Sequence, residues 1–460
     1  LERLWKVLLL HQFHDIIPGS SIAWVHDDTE AAHAELLAEV EALLATALPI
    51  RSGLHPAPPD GTSVGQNGVV AANPTPFAVR GVVATGDGEV WVDAPAHGMG
   101  PVSHELPTGI APAHVERAGD GIVLSNGVVR AVVGPDGTLT SLVDLRLDRE
   151  LLAGPANVLQ LFPDHPNTYD AWDIDQHTLR LPPEELTDAD AVDVGEDGPM
   201  QATVQVRRRF GTSSVTQTYV LRAGSARLDI ECEVDWHEDE KLLKVAFPLD
   251  LRADEARYDV QYGHVRRPTH RNTSWDAARF EVCGHFWADV AEPGCGVALL
   301  NDSKYGHDCL GDATSTTMRL SLLRATRYPD PDADRGHHRF TYGLLPHADG
   351  LADVLAESWA LNAPVRLVGG SPQPSVVSVD HPGVVVTAVK AADDGSGDLV
   401  VRLHEAFGGR ARTTLRTAAP VLTAATCDLL ERPIGDVDLA AEGVALELRP
   451  FEVRTLRLRT

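Results

Sequence analysis

Residues 227–236 read RLDIECEVDW, with Leu228, Ile230, Cys232, Val234 and Trp236 on one side of an extended chain and Asp229, Glu231, Glu233 and Asp235 on the other. A period of two is the signature of a strand with one face in a core. The acidic side invites comparison with a calcium cage. Its four carboxylates spread along one strand instead of converging, so a solvated sheet face is the better reading. The same patterning dominates the chain after residue 68. Residues 79–84 and 89–93 flank Gly86-Asp87-Gly88, and residues 128–133 and 138–143 flank Gly134-Pro135-Asp136-Gly137, two predicted hairpins with turn chemistry in place.

The first fifty residues follow another rule. Leu1, Leu4, Trp5 and Leu8 keep helical spacing while Val7, Leu9 and Leu10 fill the other sides, which predicts a helix buried on most faces and ending at Pro18-Gly19. Ile22, Val25, Thr29, Ala32, Leu36, Val40, Leu43 and Ala47 form a second stripe, with Ser20 or Ser21 available to cap its start. The expected layout is a helical hairpin over 1–50, a Pro/Gly/Ser-rich linker over 51–68 and a small β domain over 69–108. A large β-sandwich over 109–367, helical at 351–361, a second linker at 368–375 and a C-terminal β domain over 376–460 complete it.

With 460 residues and 43% hydrophobic content the chain can bury large cores. A formal charge of −27 opposes binding to nucleic acid or to anionic membrane surfaces. Cys232, Cys283, Cys295, Cys309 and Cys427 are odd in number and lack a C-x-x-C pair. Together with the absence of a signal-peptide pattern or a membrane-length apolar run, they point to a reducing compartment, the cytoplasm. The chain opens at Leu1, inside a helical pattern and without a methionine, as a piece of a longer protein would.

The stretch HQFHDIIPGSS, residues 11–21, carries the densest chemistry. His11 and His14 are i, i+3 with Asp15 following, but the pattern is not H-E-x-x-H, and a lone H-x-x-H arises often by chance. A helix C-terminus at this point would favour a cation by about 0.3–1 kcal/mol.

The segment LWKVLLLHQFHDIIPGSSI resembles the helix-turn that closes the catalytic half of α-mannosidases of glycoside hydrolase family 38. The likeness continues through VVAANPTPFAVRGVV, LSNGVVRAVVGPDGTLTSLVD, YDAWDID, EVDWHEDEKLLKVAFPLD, QYGHVRRPTHRNTSWDAARFEV, ALLNDSKYG and MRLSLLRATRYPD, in that order. The resemblance implies a mainly β fold: a helix-bundle remnant, a large galactose-mutarotase-like sandwich and a smaller C-terminal sandwich. It implies zinc as cofactor with His14 as the one ligand in this chain, and Asp15 as a contact to bound sugar; His11 is not a family ligand. It also implies retaining hydrolysis of α-mannosides, with zinc on the sugar hydroxyls. The other ligands, the nucleophile and the acid are expected in an N-terminal α/β catalytic domain, which becomes the chain's first partner beside a mannose-containing oligosaccharide; a homo-oligomer is compatible with this. The alternative is a carbohydrate-binding or structural module that docks a separate catalytic chain.

Three further residues are candidates from the β region. Trp172 and Asp173, in DHPNTYDAWDID, combine a stacking ring with a hydroxyl acceptor at the mouth of a site, and Arg324 ends an apolar run where a loop could carry it there. The basic cluster His264, Arg266, Arg267, His270, Arg271 and Arg279 reads as a local pairing network. Lys304 and Tyr305 read as part of a turn.

Overall fold

The computed structural model describes residues 1–48, 68–86, 88–348 and 350–460. Most of the expected 51–68 linker and the tip residue Asp87 of the first hairpin lie outside them. The fold is mainly β, with four helices among the described residues: α1 (Glu2–Leu10), α2 (Ala23–Ala47), α3 (Ser274–Ala277) and α4 (Ala352–Asn362).

The helical lead departs from expectation in three ways. First, α1 stops at Leu10, well short of Pro18-Gly19. The amides of Gln12 and Phe13 bond the carbonyls of Leu9 and Leu10 at 3.3 Å, so the helix tightens into turns. The Asp15 carbonyl then collects the Ser20 amide (3.1 Å) and the Ser21 hydroxyl (2.8 Å), which only a chain that has left the helix allows. Second, these serines tie the turn together and do not cap α2, whose N-cap is Ile22. Third, of the α1 side chains only Leu4 is buried, while Leu1, Trp5, Leu9 and Leu10 face outward. The inner stripe of α2 runs through Val25, Thr29, Ala32, Leu36 and Val40 as expected, but Ile22, Leu43 and Ala47 are exposed.

The small β domain is a five-stranded antiparallel sheet. Its strands lie in the order Val79–Thr85, Gly88–Ala94, Met99–Ser103, Val69–Ala72, Arg366–Gly369. Val368 and Gly369, read from sequence as opening a linker, are strand residues paired with Val70 and Val69. Val365 and the apolar Val92 and Ala94 close a small core beneath them. Gly100 is dictated by close approach, because a Cβ there would meet the Asp93 carbonyl at 1.9 Å.

In the large sandwich, Leu228–Trp236 lies between Ser213–Arg222 and Gly336–His347 in a nine-stranded sheet. A six-stranded sheet containing Lys241–Leu249 and Thr316–Arg324 shares its core, with the Phe247 and Tyr342 rings 6.0 Å apart. The alternation of RLDIECEVDW holds on its apolar side, all five residues being buried. On the acidic side Glu231 and Glu233 are exposed, but Asp229 is not solvated. It is buried between Arg222 (2.5 Å) and Arg227 (2.6 Å), and Arg227 also reaches Glu357 on α4 (2.8 Å), so that carboxylate ties sheet to helix.

The C-terminal domain pairs a four-stranded with a five-stranded sheet around Val401, Leu403, Leu415, Val444 and Leu456. It joins the large sandwich through a separate apolar cluster in which Val354 and Leu355 of α4 meet Trp287, Leu300, Val385 and Ala406.

Candidate functional site

The turn after α1 presents His14 and Asp15 side by side, His14 Nε2 lying 3.5 Å from Asp15 Oδ2. The His14 side chain is 77% exposed and tilts against the Phe13 ring at 4.2 Å, whereas Asp15 is partly covered. One Asp15 oxygen is occupied: Oδ1 accepts from Trp172 Nε1 at 3.2 Å and from the Ser20 hydroxyl at 3.2 Å. Two segments singled out separately in the sequence, far apart along the chain, therefore meet at one carboxylate. Its other oxygen faces the imidazole.

His14 stands in the turn beyond the helix, so the helix-end argument for a cation fails: the last α1 carbonyls are taken by local amides. His11 packs against the His33 ring of α2 at 5.2 Å, away from this pair.

Trp172 is carried by a loop that the sandwich grips from below. Arg324 donates through Nε to Asp164 Oδ2 at 2.5 Å and through its Nη atoms to the carbonyls of Asp173 and Ala171. Asp170 Oδ2 accepts the amides of Arg327 (2.8 Å) and Tyr328 (2.9 Å), and the Tyr328 ring lies 6.4 Å from that of Trp172. The Arg324 guanidinium is thus spent on the loop, where it fixes Trp172. Asp173 contributes its carbonyl to this clamp. On the helical side, His26 Nδ1 of α2 bonds Asp330 Oδ2 at 2.7 Å, pinning the lead to the same 324–332 segment.

Sequence reasoning missed Asp164, Asp170, Asp330, His26 and Ser20. The carboxylates of DHPNTYDAWDID and RYPD were visible, but nothing in their spacing tells which accepts a guanidinium, which an amide and which an imidazole.

Beneath this region burial pushes the Asp334 carboxyl up and the Lys304 ammonium down, with Lys304 Nζ over the Phe340 ring at 4.2 Å. The Lys304 backbone still makes the expected turn, donating to Asn301 Oδ1 at 2.6 Å. In the basic cluster Arg266 pairs with Glu255, Arg267 bonds the Cys283 carbonyl and His270 lies 3.8 Å from Asp276, which is local engagement, whereas His264 bonds the Ala406 carbonyl of the C-terminal domain.

Among the described residues no group of three or more His, Cys, Asp or Glu side chains converges as a metal site. An exposed imidazole nitrogen beside a carboxylate is nonetheless zinc-compatible donor chemistry. His14 fits as one ligand of such an ion, and among the described residues no complete ligand set converges.

Residues 1–49 match the alpha mannosidase middle domain, residues 124–332 the glycosyl hydrolases family 38 C-terminal domain, and residues 383–456 the family 38 C-terminal beta sandwich domain. The chain belongs to glycoside hydrolase family 38. Among its curated relatives, Alpha-mannosidase 2C1 of Homo sapiens is 37% identical over 100% of this chain and 45% of its own length. Alpha-mannosidase G of Dictyostelium discoideum is 31% identical over 99% and 48%. The chain thus spans about half the length of the relatives it matches, and its matched regions are a middle domain and two C-terminal domains of the family. A family 38 protein from Enterococcus faecalis shares the fold at TM-score 0.77 and 16% identity, over 100% of this chain and 66% of that one.

Proposed function

We propose that this chain is the C-terminal part of a zinc-dependent retaining α-mannosidase that removes terminal α-D-mannosyl residues from oligosaccharides. The observation that carries the reading is the hydrogen bond from Trp172 to Asp15, which joins the lead to the sandwich at an acceptor suited to sugar hydroxyls. In this reading His14 holds the metal through its imidazole. Zinc, when bound, supplies Lewis-acid polarisation of the sugar hydroxyls. Asp15 accepts hydroxyls through Oδ2, while Trp172 and Ser20 hold its carboxylate in one orientation.

Retaining hydrolysis further requires two carboxylates about 5 Å apart across the glycosidic bond, and a zinc site needs about three protein ligands. The proposal assigns these to an upstream α/β domain. The outward apolar side of the lead, with Leu1, Trp5, Leu9, Leu10, Phe13 and Ile17, is the kind of surface such a domain would cover. A cytoplasmic location belongs to the same proposal: all five cysteines are unpaired and Cys283 is exposed, which suits a reducing compartment.

The test compares the full-length protein with residues 1–460 alone on a chromogenic α-mannoside. The full-length protein should turn over only with zinc and should release the α-anomer first, while the fragment stays inactive. Zinc-dependent turnover by the fragment would place the catalytic groups within it; a full-length protein inactive on α-mannosides would remove the substrate assignment.

A further inference from the structure

A concave region lies where the large sandwich, α4 and the C-terminal domain meet, and it shares no residue with the Asp15–Trp172 contact. It encloses about 330 Å³, at the lower end of the range for small-ligand sites. Trp359 of α4 and Phe286 form its apolar wall, with ring centroids 6.1 Å apart and edge-to-face. The same lining carries a polar set, Asp259, Gln261, His285 and His404.

The protonation of that set narrows what can bind. Asp259 Oδ2 accepts the Phe286 amide at 3.1 Å, and burial pushes the carboxyl up to about 7 with no cation beside it to bring it down. Burial also lowers His285, and lowers His404 to about 4, so both imidazoles are neutral at physiological pH. His404 is buried, edge-on to the Tyr262 ring at 5.4 Å, and its Nδ1 has no partner among the described residues. Gln261 Nε2 reaches only the His285 ring, at 3.3 Å.

An anion would meet the Asp259 carboxylate with no guanidinium or ammonium among the lining residues to offset it. A purely apolar ligand would leave His404 Nδ1 without a partner and would cut the remaining hydrogen-bonding capacity of Asp259, Gln261 and His285 off from water. A neutral ring with one C–H face and several hydroxyls satisfies both sides: the aromatic wall packs on the face, and the amide, carboxyl and imidazoles exchange hydrogen bonds with the hydroxyls. We propose that this interdomain cleft binds one neutral sugar residue without cleaving it, seated against Trp359 and Phe286 and held by Asp259, Gln261, His285 and His404. It gives the chain a glycan foothold that does not depend on the zinc reading.

The experiment titrates methyl α-D-mannopyranoside, and separately D-glucosamine, into the full chain carrying Asp15→Asn, followed by protein-observed NMR or calorimetry. Saturable millimolar binding of the mannoside is expected to survive Asp15→Asn and to weaken on the order of tenfold in Trp359→Ala, where the stacking face is lost. Because Trp359 also packs between domains, Gln261→Ala supplies a second variant at an exposed position, and it should weaken binding several-fold with an unchanged melting temperature. No saturable mannoside binding, or binding indifferent to both variants, overturns the proposal. Strong preference for glucosamine that grows as pH rises through 7 would make the cleft an ammonium site and overturn it equally.

Discussion

In the large sandwich Trp236, Phe247 and Tyr342 are sealed within one core, whereas in the helical lead Trp5, Leu9, Leu10 and Trp24 face outward and, among its described apolar side chains, only Leu4 and Leu36 are buried. The two regions also bear on the candidate site differently. The lead carries His14 and Asp15 but has almost no core of its own. The sandwich supplies the Trp172 indole that orients Asp15 and the Asp330 carboxylate that anchors α2 through His26. Chemistry is thus assigned to the region that packs least, and its geometry is borrowed from the region that packs most. That division is common where functional residues stand on loops held by a rigid scaffold.

The largest effect should come from the lead. In the full-length protein Asp15→Asn should lower kcat/KM on the order of a hundredfold, the size expected for a charge-assisted hydrogen bond made in the transition state. Its zinc content and melting temperature should stay at wild-type values. His14→Ala should lose both zinc and activity, and His11→Ala neither. Elemental analysis beside kinetics separates these cases, and equal zinc in wild type and His14→Ala would break the assignment of ligands to the lead.

Next comes a direct contrast of packing. Phe247→Ala in the sandwich core should cost about 3–5 kcal/mol by denaturant titration. Leu9→Ala on the outward side of α1 should stay within about 0.5 kcal/mol in the 1–460 chain. If Leu9→Ala approaches Phe247→Ala in that chain, the lead has a core that the structure does not show.

The pH dependence is smaller and belongs to the β domains. Burial lowers His307 to about 3 and His404 to about 4 in the folded protein, against about 6.5 when unfolded. Between those values the unfolded chain binds more protons, so stability rises with pH and is lost as pH falls from 6.5 toward 4. Asp259 acts in the opposite sense. Its carboxyl is raised to about 7, so the folded chain binds the extra proton and the stability it contributes declines as pH climbs from about 4 to 7. Thermal melts across this range should show a flatter acid limb in His404→Gln and a gain for Asp259→Asn that grows as pH rises from about 4 to 7.

The smallest effect should come from one of the contacts between the regions, the His26–Asp330 hydrogen bond, which acts beside Trp172–Asp15 and the Arg366–Glu41 pair on α2. His26→Ala removes one hydrogen bond, worth about 0.5–1.5 kcal/mol, and should speed amide exchange in α2 while leaving the sandwich protected. Exchange unchanged in α2 would mean that the Asp15–Trp172 and Glu41–Arg366 contacts suffice to hold the lead.

How much of this was legible in the sequence follows from the range of each interaction. Alternation and turn chemistry are local, so the strands around Gly134-Pro135-Asp136-Gly137 and RLDIECEVDW could be read directly, as could α4. The end of α1 could not, because it is set by the Asp15 carbonyl gathering partners from Ser20 and Ser21, and a Pro-Gly pair marks a turn without saying how early the helix unwinds. Asp229 was misread because its arginines, Arg222 and Arg227, meet it only once the sheet and α4 are assembled. His14 and Asp15 were found through family resemblance. Arg324 was singled out by position, and only the contacts with Asp164 and the loop carbonyls show that it supports Trp172.

The strand Arg366–Gly369 completes a sheet whose other members end by Ser103. On a ribosome adding about 5–20 residues per second, the Val69–Ala72 edge waits some 15–60 s for its partner. Throughout that interval an apolar strand with open backbone groups is exposed to any other extended segment, including those of sister chains on the same message. Biosynthesis, and not the finished fold, is therefore where this protein is most open to mispairing, and any chain released before Arg366 carries that open edge with it permanently.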